Sequence, residues 1–261
     1  MSAIDHYENF PVASWLCPKH LRPAILAIYR FARTADDIAD EGYDPAHVRL
    51  DDLGQYRQEL LNCLQGRPSS QARWSKVFGP LSAMVEKHQL PPQLLLDLLD
   101  AFEQDVFYTA TGQNYASRSQ LLDYCRRSAN PIGRLMLHLY GVKDDTSLSQ
   151  SDAICTGLQL INFWQDRQTD LKRGRNYLPQ DSHISAELDF ARQCMAYGQD
   201  LVHRVPGRGG WELRAVVQGG LCVLDKLDAL NQRLGGDASQ WPRPVVTRWD
   251  TLRIGWRCLR M

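Results

Sequence analysis

The stretch Leu21-Arg22-Pro23-Ala24-Ile25-Leu26-Ala27-Ile28-Tyr29-Arg30-Phe31-Ala32-Arg33-Thr34-Ala35-Asp36-Asp37-Ile38-Ala39-Asp40-Glu41-Gly42 decides the fold class. Leu21, Ala24, Ile25, Ile28, Ala32, Ala35 and Ala39 recur at helical spacing, with proline near the start and glycine just past the end. The same period returns along the rest of the chain. Leu94, Leu95, Leu98, Phe102 and Val106 mark a helix opened by Pro91-Pro92. The pattern predicts further helices at about 46–65, 69–88, 118–141, 148–173, 185–204, 210–234 and 246–260. Period-two alternation and Asn-Gly or Asp-Gly hairpin signals are missing. The expectation is one all-α domain over residues 1–261, a bundle of about nine helices, with its longest irregular stretch at 174–184.

Composition narrows the function classes. Lys plus Arg and Asp plus Glu number 30 each, so no global charge draws the chain to nucleic acid, and an anion must be met by local clustering. Seven dispersed cysteines without a Cys-x-x-Cys pair, and seven histidines without metal-ligand spacing, argue against a disulfide framework and a zinc site. The N-terminus lacks a basic-then-apolar signal, and no apolar run is long enough to span a bilayer. A reduced, cytoplasmic setting is expected, which still allows a peripheral membrane contact.

The chemistry concentrates on two helices. Tyr29, Arg33, Asp36, Asp37 and Asp40 fall within an arc of about 100° on the first. Asp36 and Asp40 lie one turn apart, where like charges repel and a divalent cation would compensate. On the second, Gln159, Asn162, Asp166 and Asp170 share an arc of about 80° among Leu158, Leu160, Ile161, Phe163 and Trp164. A polar line on so apolar a helix is expected to face an interior cavity, because buried carboxylates need partners. Two such lines facing each other would cage a hard cation through oxygen ligands, and Mg²⁺ suits that set. Lys172-Arg173-Gly174-Arg175-Asn176-Tyr177 follows at once, placing basic groups where a diphosphate would leave. Alone, an acidic pair reads as a solvated face and the basic run as a helix C-terminus; the two acid motifs together favour the ligand reading.

Asp36-x-x-x-Asp40 and Gln159-x-x-Asn162-x-x-x-Asp166-x-x-x-Asp170 resemble the two magnesium-binding motifs of the squalene and phytoene synthase family. That family's upstream tyrosine and arginine fall on Tyr29 and Arg33, its Tyr-Cys pair on Tyr124-Cys125, and a mid-chain acid on Asp105. The resemblance implies a helical bundle of the class I isoprenoid synthase type with a central cavity. It also implies Mg²⁺ held by Asp36, Asp40, Asn162, Asp166 and Asp170, and catalytic roles for Tyr29, Arg33, Tyr124 and Gln159. Substrate contacts fall on Asn9, Phe10, Arg33, Gln165, Arg173, Arg175 and Tyr177. Within the family, His6 to Ser14, Phe31 to Asp40, Tyr124 to Pro131 and Asn162 to Asp166 look like the bacterial hydroxysqualene synthase branch. There presqualene diphosphate, supplied by a sister enzyme, is ionised and captured by water. Gln165 replaces an arginine usual in the family, and Glu8-Asn9-Phe10 replaces a Ser-x-Ser-Phe run. Both departures favour a single-substrate reaction over the joining of two farnesyl diphosphates.

Asp36-Asp37-x-x-Asp40 also fits a class I terpene cyclase, but the second motif does not. Assembly factors related to the family have lost acids that this chain keeps. Gly207-Arg-Gly-Gly210 reads as a loop, and Asn130-Pro131 as a helix kink or start. Trp249, Leu252, Trp256 and Leu259 recur at helical spacing near Arg243, Arg248, Arg253, Arg257 and Arg260. Core packing with solvated arginines is the expectation there, and an interfacial helix the alternative.

Overall fold

The computed structural model describes residues 17–40, 44–67, 71–235 and 238–261. Asn9, Phe10 and the rest of the 1–16 segment lie outside that set. The described residues form α-helices and short 3₁₀ turns, with no strand among them. The helices are α1 (Arg22–Asp40), α2 (Ala46–Leu64), α3 (Ser75–His88), α4 (Pro92–Thr111) and α5 (Arg118–Ser128). They continue as α6 (Asn130–Leu139), α7 (Asp145–Lys172), α8 (Ile184–Gly198), α9 (Arg208–Leu234) and α10 (Arg248–Arg260).

Local sequence explains most boundaries. Pro92 opens α4, and Gly112 ends it in the left-handed region. Asp144 and Ser117 cap α7 and α5 through their side chains. The expected helix at 118–141 is divided. Pro131 has no N–H to donate and its ring opposes the preceding turn, so α5 stops and α6 starts at Asn130. Asn130 is buried there and accepts a hydrogen bond from Thr156 Oγ1 at 3.0 Å. Only Gly207, at φ +61°, behaves as the loop expected for 207–210, since α9 begins at Arg208. Gly210 lies against the Val202 carbonyl, where a Cβ would approach within 2.5 Å.

Two apolar cores build the body. One gathers Phe31 of α1, Tyr56 of α2, Phe78 of α3 and Leu99 of α4, with Phe31 and Tyr56 stacked at 5.5 Å. The other gathers α5, α7, α8 and α9 around Leu160, Trp164, Leu188, Met195 and Leu224. Thus α1 is buried in the first core and α7 in the second. The acid-bearing C-terminal end of α1 and that of α7 meet at the junction.

The C-terminal stripe departs from the packing expectation. Trp249 is 81% exposed, Leu252 and Leu259 68% each, and Trp256 57%. It is the opposite side of α10, with buried Cys258, that faces α9.

Candidate active site

On α1, Arg33 reaches Asp36 at 2.9 Å and Asp37 at 2.7 Å, with Tyr29 one turn earlier and half-buried. Across the junction, α7 ends in a closure that depends on Gly174 at φ +77°. The Arg175 N–H returns to the Asp170 carbonyl at 2.8 Å and the Gly174 N–H to the Leu171 carbonyl at 3.1 Å. That reversal aims the Arg175 side chain back at α1. Its guanidinium grips both oxygens of Asp40, one at 2.8 Å, and donates to Thr109 Oγ1 at 3.2 Å. Burial works against the charge of Arg175, and the Asp40 carboxylate more than offsets it. Arg173 stands at the exposed edge, 3.9 Å from Asp40.

Arg175 acts electrostatically on both motifs. Burial, reinforced by neighbouring Asp40, raises Asp36 to about 6, with Arg33 and Arg175 pulling it down. Burial and neighbouring Asp166 raise Asp170 to about 6 against Arg175 and Arg173. Asp166 is held by Arg243, with one contact at 3.3 Å. Among the described residues no three Asp, Glu, His or Cys side chains converge on one point. Instead, arginines engage Asp40 and Asp166. All four aspartates are nevertheless hard oxygen donors, and Asp36 and Asp170 are crowded enough to resist ionisation, which is the condition a divalent cation relieves. The residues present therefore fit Mg²⁺.

Beside this mouth lies a shallow recess, open to solvent and lined in part by Asp105, Tyr108, Thr109, Tyr115, Arg175 and Tyr177. Asp105 is buried on α4 and receives hydrogen bonds from the hydroxyls of Tyr124 and, at 3.4 Å, Tyr177. Burial raises its pKa to about 7, and the Tyr124 hydrogen bond and Arg175 oppose that rise. Phe163 stacks on Tyr177 at 3.8 Å, and Tyr115 and Tyr124 stand about 6 Å from Tyr177. The result is an aromatic wall continuous with the charged mouth.

The sequence-predicted residues therefore divide. Arg33, Asp36, Asp40, Asp170, Arg173 and Arg175 come together; Tyr177 lines the recess, and Tyr124 is buried behind it, bonded to Asp105. Gln159 is half-buried on α7. Asn162 is exposed, so the α7 line opens to solvent at that point instead of facing a closed interior. Gln165, expected among the substrate contacts, lies on α7 next to Asp166. It is buried and donates to the Pro244 carbonyl at 2.6 Å, tying the C-terminal segment to α7. Arg243 as partner of Asp166, and Tyr115 and Thr109 as lining groups, escaped the sequence reading. Each is non-local, and no spacing rule links residue 243 to residue 166.

An all-helical bundle with two facing aspartate motifs defines an isoprenoid-synthase type of protein. The sequence model of the squalene/phytoene synthase family matches residues 4–189, and the chain belongs to that family. It is 40% identical over 175 residues to a hydroxysqualene synthase of Rhodopseudomonas palustris, covering 67% of this chain and 56% of that protein. A phytoene synthase of Cereibacter sphaeroides is 34% identical over 179 residues, covering 66% and 48%. The chain thus spans about half the length of these curated relatives. The crystal structure of squalene synthase HpnC from Alicyclobacillus acidocaldarius has a TM-score of 0.75 at 32% identity, covering 88% of this chain and 90% of that one.

Proposed function

We propose that the protein converts presqualene diphosphate and water to hydroxysqualene, pyrophosphate and a proton, a step toward squalene and hopanoids. The observation that carries this reading is Arg175, which the end of α7 swings onto Asp40 of α1 at the edge of an aromatic recess. The 40% identity to a hydroxysqualene synthase supports the choice of reaction. Mg²⁺ held by Asp36, Asp40, Asp166 and Asp170, with Asn162 in support, would supply the Lewis acidity that neutralises the diphosphate oxygens. Arg33, Arg173 and Arg175 take up the same oxygens through charge-assisted hydrogen bonds. The carbon–oxygen bond to diphosphate breaks heterolytically, and the diphosphate leaves with the electron pair. Tyr29, Tyr124 and Tyr177 supply the aromatic groups that would stabilise a cation and shield it from early quenching. Gln159 positions the water that forms the new carbon–oxygen bond. Asp105, titrating at about 7, is a buried carboxyl able to take the released proton. Presqualene diphosphate comes from a separate synthase, and the protein works in the cytoplasm or at its membrane face.

A second reading, direct joining of two prenyl diphosphates such as farnesyl diphosphate, is favoured by the similarity to phytoene synthases. Purified protein incubated with presqualene diphosphate and Mg²⁺, without a reductant, separates the two. Hydroxysqualene is expected, with none from farnesyl diphosphate alone and none from Asp36→Asn or Asp170→Asn. Turnover of farnesyl diphosphate by itself would move the protein to the second reading.

A further inference from the structure

We propose that α10 is a membrane-docking helix that seats the protein on an anionic lipid surface. Its amphipathicity is inverted. The side facing α9 is joined largely by polar contacts: Lys226 to Asp250, Arg257 to Asp225 at 3.2 Å, and Arg214 to the Cys258 carbonyl at 3.1 Å. The opposite side presents Trp249, Leu252, Trp256 and Leu259, all more than half exposed, within an arc of about 80°. A packing role would bury this stripe, and the described residues leave it in water. Arg253 and Arg260 border the arc on one side and Arg248 on the other. Neither Arg248 nor Arg260 has an ion-pair partner among the described residues, and the Arg260 guanidinium lies 4.3 Å from the Trp256 ring centre. Tryptophans and leucines flanked by exposed arginines match a bilayer interface carrying anionic headgroups. A second copy of this chain is the poorer occupant, because apposed arginine borders would repel. A capping box, Thr247 with Asp250, fixes the helix start, so the face is formed in the unbound protein.

This deepens the prenyl-lipid reading by naming the surface from which such a substrate would be drawn, and the binding measurement that tests it needs no substrate. The purified full chain is floated with phosphatidylglycerol-rich vesicles and, separately, with phosphatidylcholine vesicles, while tryptophan emission is recorded. Binding to the anionic vesicles, a blue shift and weakening by salt are expected. Trp249→Ser with Trp256→Ser, and separately Arg248→Gln with Arg260→Gln, should each weaken binding on the order of tenfold. Helical content and turnover of detergent-dispersed presqualene diphosphate should stay at wild-type levels. No vesicle binding by the wild type, or equal binding by the tryptophan variant, overturns the proposal. So does a dimer in sedimentation that the tryptophan substitutions abolish. Vesicle binding without turnover would retain the docking helix and sink the reaction instead.

Discussion

Asp105 carries more chemical information than its position in the sequence announced. It sits in α4 among Leu98, Leu99 and Val106, and without Tyr124 and Tyr177 above it the carboxyl would be an uncompensated buried acid. Its raised pKa has a consequence for stability. The folded protein holds this proton up to about pH 7, whereas the unfolded chain releases it near the ordinary carboxylate value of about 4. The folded state therefore binds more protons between those limits, and stability attached to Asp105 falls as pH rises through them. Asp105→Asn removes that dependence. The melting temperature of the variant minus that of the wild type should climb from about pH 5 to about pH 8. A difference that stays flat over that range would contradict the protonated, buried Asp105.

At the scale of elements, the end of α7 decides where the basic run points. With Gly174 at φ +77°, the chain folds back on Asp170 and sends Arg175 to Asp40. A Cβ at 174 meets no neighbour, so the cost of substitution is conformational and amounts to about 1–2 kcal/mol. Gly174→Val should lower the unfolding free energy from urea titration by that amount and reduce kcat/KM further, because Arg175 loses its aim. Gly174→Asn, which tolerates the left-handed region, should recover much of both. Wild-type stability and activity in the valine variant would mean that the closure does not position Arg175. The Lys172–Arg175 run could be read from sequence as basic, but not as a hook; glycine after a helix was the available signal.

Across the whole molecule, α1 belongs to one apolar core and α7 to the other, and the acid motifs share the seam. A ligand bridging them binds only the assembled state and stabilises it by mass action, about 2.7 kcal/mol at a hundredfold excess over Kd. Inorganic pyrophosphate with Mg²⁺ should accordingly raise the melting temperature of the wild type. Amide exchange should slow in the last turns of α1 and of α7 together, and Asp36→Asn or Asp170→Asn should lose both effects. Protection confined to one of the two helices would show that the ligand does not span the seam.

Sequence by itself determined the helical class, the positions of most helices and the two acid lines, because each follows from a short-range period. Helix pitch places Asp36 with Asp40, and Asp166 with Asp170, whatever surrounds them. The magnesium fit likewise rests on residue types legible in one dimension. Tertiary structure alone decided which distant groups meet: Arg175 with Asp40 across the seam, and Arg243 with Asp166 and Gln165 with Pro244 between α7 and the C-terminal segment. It also decided which face of α10 is wet. A helical stripe of Trp and Leu has the same period whether it packs inward or faces outward. Only the partners across α9, polar ones that claim the other side, resolve the choice.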